Sequence, residues 1–189
     1  MSERDPGPAI SFRPLTRGDL PLLHEWLTRP HVAEWWGPPP SLAEVEEEYA
    51  PLTGDGSTTR PYLVLGDGEP IGYIQSYVAM GSGDGWWPDE RDPGVRGIDQ
   101  FLAHPEQLGR GLGTAVVRAF VRELFADRAV TRVQTDPSPS NRRAISCYEK
   151  AGFRAVGEVD TPDGRALLMV CERPADAEGR PGGFTTAGG

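Results

Sequence analysis

The segment Gln107-Leu108-Gly109-Arg110-Gly111-Leu112-Gly113-Thr114 has the residue types and spacing to do chemistry. It follows an apolar, strand-like run, Ile98 to Ala103, and opens an amphipathic run, Thr114 to Phe125. Glycines there let the backbone turn tightly and bring free N–H groups close to a ligand. The first turn of the following helix adds unpaired donors and the positive end of its dipole. Arg110 supplies a cation beside them. Such a cradle suits a pyrophosphate, and the bland alternative is a glycine-rich helix start with no ligand. Two other nucleotide loops fit less well. A dinucleotide fingerprint needs G-x-G-x-x-G early in a βαβ unit, and a P-loop needs G-x-x-x-x-G-K-[ST]. Here the glycines fall at 109, 111 and 113, past the middle of the chain, and no Lys follows Gly113.

A second constellation follows at Asn141-Arg-Arg-Ala144-Ile-Ser-Cys-Tyr148-Glu-Lys-Ala-Gly152-Phe153. A third is a single acid, Asp99, inside the apolar run Gly97-Ile-Asp-Gln-Phe-Leu102. A carboxylate is a poor core residue without a partner. It either answers to a base such as Arg96 or serves a ligand. Asp84, in a Gly-rich loop, and Asp136, at a strand end, can converge on it or act as turn and capping acids. Three acids on one cleft would bind a polyamine rather than a neutral molecule.

The elements that position these residues can be read in chain order. Ile10 to Leu15 alternates as a strand, with Pro14 making its end irregular. Thr16-x-x-Asp19 caps a short helix through Leu27, and Ser41-x-x-Glu44 is a capping box for a helix to about Tyr49. Between them, Trp35-Trp36 before Pro38-Pro39-Pro40 forms a rigid aromatic wall or simply anchors the loop. Arg60–Leu65 and Ile71–Met80 read as a hairpin across Gly66 to Pro70, and Val95–Ala103 as the next strand. The segment from Gly81 to Pro93, with Trp86-Trp87, is too long and aromatic for a mere connector. Val130–Thr135 is a buried strand, Arg142–Ala151 a helix stopped by Gly152, and Phe153–Val159 with Arg165–Cys171 a closing hairpin across Thr161-Pro-Asp163-Gly164. This order is an α+β or mixed-sheet α/β plan.

The chain of 189 residues reads as one domain over 10–174, with a disordered leader over 1–9 and a flexible Gly-rich tail over 175–189. With 38% hydrophobic and 25% charged residues the composition is that of a soluble globular protein. No apolar run approaches a membrane span, and Met1 to Pro6 has no signal-peptide core. Two cysteines, Cys147 and Cys171, give neither ligand spacing nor a disulfide framework, so no metal and a cytoplasmic location are expected. A net charge of −9 disfavours nucleic acid and favours a cationic small molecule. The expected assembly is a monomer or weak dimer.

The glycine loop, Gln107-x-Gly109-x-Gly111-x-Gly113, and the downstream N-x-x-A-x-x-x-Y-x-x-x-G-F together resemble the GCN5-related N-acetyltransferase (GNAT) superfamily. That resemblance implies a mixed central sheet of six to seven strands flanked by helices, with acetyl-CoA in a V-shaped opening between central strands. It implies acetyl-CoA contacts at Phe101, Leu102, Ala103, Leu108, Gly109, Arg110, Gly111, Leu112, Gly113 and Thr114, with Asn141 holding the pantetheine arm. Tyr148 would lie near the thioester sulfur and protonate the leaving thiolate, unless it only packs on the sheet. The attacking amine must lose a proton, and Asp99 is the candidate acceptor.

Over about Ile10 to Val170, the runs EWWG, GEPIGYxQSYVA, GSGDGWW, DPGVRGIDQ, TDPSPSN and RAIxCYEKAGF resemble, more narrowly, the aminoglycoside 6′-N-acetyltransferases. By that likeness Asp99 lies beside the 6′-amine and Asp84 and Asp136 bind other ammonium groups. Trp36, Tyr49, Gln75, Ser82 and Trp87 would line the sugar site, while Trp86 and Asp163 match the ordinary family pattern. Pro38-Pro39-Pro40, Pro88 and Phe101 depart from it. The expected activity is acetyl transfer to the 6′-amino group of these cationic antibiotics. Two alternatives are transfer to another primary amine (a siderophore lysine, a polyamine or a peptide) and non-catalytic sequestration of the drug.

Overall fold

The computed structural model describes residues 7–174. The expected tail at 175–189, and the expected leader apart from residues 7–9, lie outside the described residues. Seven strands form one mixed sheet: β1 (Ile10–Pro14), β2 (Thr59–Gly66), β3 (Glu69–Val78), β4 (Val95–Leu102), β5 (Arg132–Thr135), β6 (Arg154–Thr161) and β7 (Gly164–Glu172). Their spatial order is β1-β2-β3-β4-β5-β7-β6. Only β4 and β5 run parallel; the other neighbours are antiparallel. The β2–β3 turn is two residues, Asp67 and Gly68, at φ 51° and 87°, the left-handed pair that matches strand twist in a tight hairpin.

Among the described residues five α-helices cover the sheet: α1 (Leu20–Leu27), α2 (Pro30–Trp36), α3 (Leu42–Tyr49), α4 (Leu112–Ala126) and α5 (Arg142–Ala151). The caps read from sequence form. Thr16 donates its backbone N–H to Asp19 Oδ2 at 2.8 Å, ahead of α1. At α3, Ser41 N–H donates to Glu44 at 2.7 Å and Glu44 N–H returns to Ser41 Oγ at 3.3 Å. Gly152, at φ 107°, ends α5. The helix α2 was not expected. Pro30 sits in its first turn, where a missing N–H is harmless, and Gly37 ends it before the proline run.

Strand alternation divides the core into two layers. Leu63, Tyr73, Phe101 and Ala103 face α1, α2 and α3, where Leu23, Trp26 and Val45 pack on them. Val64, Ile74, Ile98 and Leu102 face α4 and α5, where Val116, Val117, Phe120 and Ile145 close the other layer. The helical period of Val116, Val117, Phe120 and Val121 makes α4 amphipathic, and all four are buried.

The opening that holds the site comes from the parallel pair. β4 and β5 pair only over Val95–Gly97 with Arg132–Gln134. β5 then stops at Thr135, and the stretch Pro137-Ser-Pro-Ser leads the chain away to α5. From Ile98 onward the outer edge of β4 therefore lacks a strand partner, giving the expected V-shaped gap.

Candidate active site

One arm of the gap is the glycine loop. Gly109 and Gly111 adopt φ 74° and 83°, a region that favours glycine, and Gly111 is the N-cap of α4. The first α-helical bond there runs from Ala115 N–H to Gly111 O, so the N–H groups of Leu112, Gly113 and Thr114 have no intrahelical acceptor. A groove lies against them, walled by Leu108, Gly109, Gly111, Gly113 and Thr114, by Phe101 and Leu102 of β4, and by Asn141 and Arg143. His31 and Lys150 also line it. Free donors, a 15-residue helix dipole and two cations suit the anionic end of a nucleotide cofactor.

Four residues of the expected cofactor set do not line this groove, and one of them, Tyr148, lines the neighbouring cleft instead. Arg110 is exposed, and Leu112 turns toward the core layer beneath α4. Ala103 uses its backbone elsewhere: its N–H donates to Ile71 O at 2.9 Å and its carbonyl accepts from Arg29 at 2.6 Å. That bond also fixes the parity of β4. Phe101 and Asp99 direct their backbone groups to β3, and Gln100 and Leu102 present theirs to the gap. The Leu102 carbonyl accepts from His31 Nε2 at 3.0 Å.

The other arm is a cleft of about 560 Å³. Of the expected substrate residues, Trp36, Tyr49, Gln75, Ser82, Asp99 and Asp136 line it. Asp99 lies on the same strand face as Phe101, beyond the helices that cover Phe101. Gln75 Nε2 donates to Asp99 Oδ2 at 2.9 Å, and Tyr73 OH donates to Gln75 Oε1 at 2.7 Å, so a relay of hydrogen bonds orients the carboxylate. The alternative pairing with Arg96 does not form: that guanidinium donates to the carbonyls of Pro93 and Val95. Burial pushes the Asp99 carboxyl up, Gln75 partly offsets this, and the charge of Asp163 adds to it. Asp136 is pushed up to about 8, by burial first and then by Asp99 and Asp163.

Asp84 is not on the cleft wall. It is exposed in the 81–93 loop at φ 49°, and the third acid beside Asp99 and Asp136 is Asp163, from the β6–β7 turn. The sequence placed Asp163 in a turn and matched it, with Trp86, to the family pattern without giving it a place in the site, because nothing local indicates that this hairpin reaches across to β4. Trp87 likewise turns away, its indole N–H donating to Tyr77 OH at 3.0 Å, while Trp86 lines the cleft. Tyr77 lies over Gly97, where a Cβ would sit 2.0 Å from its ring, so glycine is required there. Glu48 and Tyr77 complete parts of the wall that sequence reading missed.

Groove and cleft meet along Trp35, Trp36, Gln100, Asn141 and Ala144, which line both. Trp36 is held edge-on against Tyr73 and Phe101, with centroids 5.7 and 5.0 Å apart, and donates to Tyr49 OH at 3.3 Å. Asn141 caps α5 through Oδ1, which accepts from Ala144 N–H at 3.0 Å, leaving its amide N–H groups as donors. Tyr148 is 4% exposed and lines the cleft, and burial raises its phenol well above the ordinary range. It therefore carries its proton throughout the physiological range. No group of three or more His, Cys, Asp or Glu residues arranged to hold a metal exists among the described residues.

An acidic cleft thus opens onto a groove lined by cations and free N–H donors, with a protonated phenol among the residues of the cleft. Residues 16–161 match the family model of the acetyltransferase (GNAT) domain. The chain is 58% identical over 170 residues to the aminoglycoside N(6′)-acetyltransferase type 1 of Klebsiella pneumoniae, covering 88% of this chain and 85% of that one. Its fold is similar to AAC(6′)-Ib in complex with paromomycin and acetyl-CoA, with a TM-score of 0.84 and 58% identity over 87% of this chain and 94% of that one. It is equally similar, at TM-score 0.84 and 58% identity, to AAC(6′)-Ib with coenzyme A and kanamycin, covering 87% and 95% of the two chains. The chain belongs to the GNAT acetyltransferases, in the family of the aminoglycoside N(6′)-acetyltransferases.

Proposed function

We infer that this protein transfers acetyl from acetyl-CoA to the 6′-amino group of aminoglycoside antibiotics and thereby inactivates them. The observation that carries the reading is the junction of two oppositely charged surfaces, reinforced by 58% identity across most of the chain to enzymes of that name. Acetyl-CoA is a co-substrate, and no metal takes part. The phosphate-bearing part of acetyl-CoA belongs at the α4 N-terminus, beside Gly109, Gly111, Gly113 and Thr114. Leu108 walls the groove and Asn141 donates to the pantetheine arm.

The acid–base roles follow from the environments. An ammonium must lose a proton before attack, and a buried carboxylate whose affinity for protons is raised is a better acceptor than a solvated one. Asp99 has that environment, and the Tyr73–Gln75 relay holds its orientation. Developing charge on the thioester oxygen is met by an N–H of the unpaired β4 edge, at Gln100 or Leu102. The departing thiolate takes its proton from Tyr148, whose phenol is protonated at any working pH. Gln75, Ser82, Trp36 and Tyr49 shape the sugar site, and Asp136 receives a second ammonium. Asp84 and Trp87 belong to a loop that reaches the drug from outside the present wall.

A single domain over 10–174, acting in the cytoplasm as a monomer or weak dimer with neither nucleic acid nor membrane as partner, fits this role. Among the described residues both cysteines are free and no helix is long and apolar enough to cross a membrane.

The direct experiment is thiol release from acetyl-CoA with kanamycin, followed by NMR of the product, on wild type and Asp99→Asn. A 6′-N-acetyl product, with a rate loss of about 10²-fold or more in the variant, is expected. Turnover unaffected by the variant would move the proton acceptor to water or another acid. Drug binding without thiol release would instead mark a sequestering module. Turnover only with lysine or polyamine substrates would mark an acetyltransferase of another amine.

A further inference from the structure

The cleft contains a carboxylate that the reaction scheme above does not use. Glu48 lies near the end of α3, next to Tyr49, and lines the cleft that holds Asp99, Asp136 and Asp163. The acids of α3 differ in position rather than exposure: Glu44 closes the capping box, and Glu46, Glu47 and Glu48 are all exposed, but Glu48 alone of these three lines the cleft. Burial pushes the Glu48 carboxyl up, and among the described residues no hydrogen bond or cation draws it back. A carboxylate on the wall of an acidic cleft with no protein partner is one that a cationic ligand can satisfy.

Its position is set by the fold. The Tyr49 ring lies edge-on to Tyr73 of β3, with centroids 5.9 Å apart, and both phenols respond to the charges of Glu48 and Asp99. β3 borders β4 on one side, whereas Asp136 follows β5 and Asp163 joins β6 to β7 on the other. Glu48 therefore approaches the reacting position at Asp99 from the side opposite Asp136 and Asp163. We propose that Glu48 is a specificity-determining residue: it holds an additional ammonium group of the substrate on the α3 side of the reacting amine. The cleft then selects polycations whose ammonium groups extend to both sides of the acetylated nitrogen. A lysine side chain, with one ammonium, gains nothing from this arrangement.

This inference rests on the aminoglycoside reading, and its test separates the two. Steady-state kinetics with kanamycin and acetyl-CoA would be measured for wild type, Glu48→Gln, Glu48→Asp and Glu47→Gln at several salt concentrations. Absence of kanamycin acetylation by wild type overturns the functional reading itself, and this inference with it. Given wild-type turnover, Glu48→Gln is expected to raise the kanamycin KM about fivefold, the scale of one partly exposed ion pair. The kcat and the acetyl-CoA KM should stay within twofold, and the salt dependence of the kanamycin KM should become shallower. Glu48→Asp should recover part of the loss, and Glu47→Gln should match wild type. An unchanged kanamycin KM in Glu48→Gln would overturn the proposal. Equal increases in Glu47→Gln and Glu48→Gln would also overturn it, because net charge rather than position would then be responsible.

Discussion

Asp136 offers a prediction that can be worked through quantitatively. Its carboxyl is pushed up to about 8, first by burial and then by the charges of Asp99 and Asp163. At pH 7 such a group is about nine-tenths protonated, and ionising it costs about 1.4 kcal/mol, one pK unit. An ammonium placed about 4 Å away in a partly shielded site attracts the carboxylate by about 4 kcal/mol. The attraction exceeds the ionisation cost, so the drug binds the charged form and drives the proton off. Kanamycin binding at pH 7 should therefore release about 0.9 proton from this group. Because the free-state value is raised, the sign follows: the contribution of Asp136 favours binding increasingly as pH rises toward 8. Between pH 7 and 8 it amounts to about a fivefold gain in affinity. The assay is titration calorimetry at pH 7 in phosphate and in Tris, whose ionisation enthalpies differ. Its slope counts protons exchanged, and proton uptake by the drug's own amines is common to wild type and Asp136→Asn. The difference between the two proteins isolates the carboxyl. Equal proton counts in wild type and variant would refute the reasoning.

The same raised value predicts a stability effect in the ligand-free protein. Between the unfolded carboxyl value near 4 and the folded value of about 8, the folded state holds the extra proton. Stability from this group therefore falls as pH rises, by at most about 1.4 kcal/mol per unit, and Asp136→Asn should melt increasingly above wild type from pH 5 to 8. Asp19 behaves oppositely. Its hydrogen bonds with Arg13, at 2.8 and 2.9 Å, hold it down to about 2, so its contribution is present above pH 4 and lost as pH falls toward 2. The Arg13 side chain is 42% exposed, so screening reduces the effect, and Asp19→Asn should cost about 1 kcal/mol at pH 7 in denaturant melts. In Gly97→Ala, the new methyl meets the Tyr77 ring and must displace it together with the bonded Trp87 indole. The kanamycin KM should rise while the acetyl-CoA KM changes little, read from the same steady-state assay. Gly111→Val places a β-branched residue at φ 83° and should raise the acetyl-CoA KM about tenfold or more with the kanamycin KM little changed.

Much of the fold was legible because its signals are local. The Thr16-x-x-Asp19 cap, the Ser41 capping box, the hairpin across Gly66 to Pro70 and the Gly152 stop each act within a few residues, and each forms in the structure. The helix at Pro30–Trp36 escaped because its seven residues carry a proline start and a tryptophan end, neither of which gives a clear apolar period. The glycine loop was legible for the same reason as the caps: glycine spacing and a following amphipathic helix define a turn with free N–H donors without reference to the rest of the chain. Asp99 stood out because a carboxylate in an apolar strand violates the ordinary partition of residues.

What only the tertiary structure decided is which distant groups share a surface. Asp163 reaches the cleft because β7 pairs with β5, a sheet order that no turn signal encodes, and it takes the place expected for Asp84. The backbone roles expected at Phe101 and Ala103 depend on strand register. A single bond from Ala103 to Ile71 assigns those residues to β3 and gives the free edge to Gln100 and Leu102. The raised Asp136 carboxyl also needs three acids from separate segments to be brought together in a poorly solvated space. Local chemistry is written in residue type and short spacing. Electrostatic coupling and access depend on distances between residues far apart in the chain, and those distances exist only once the sheet has formed.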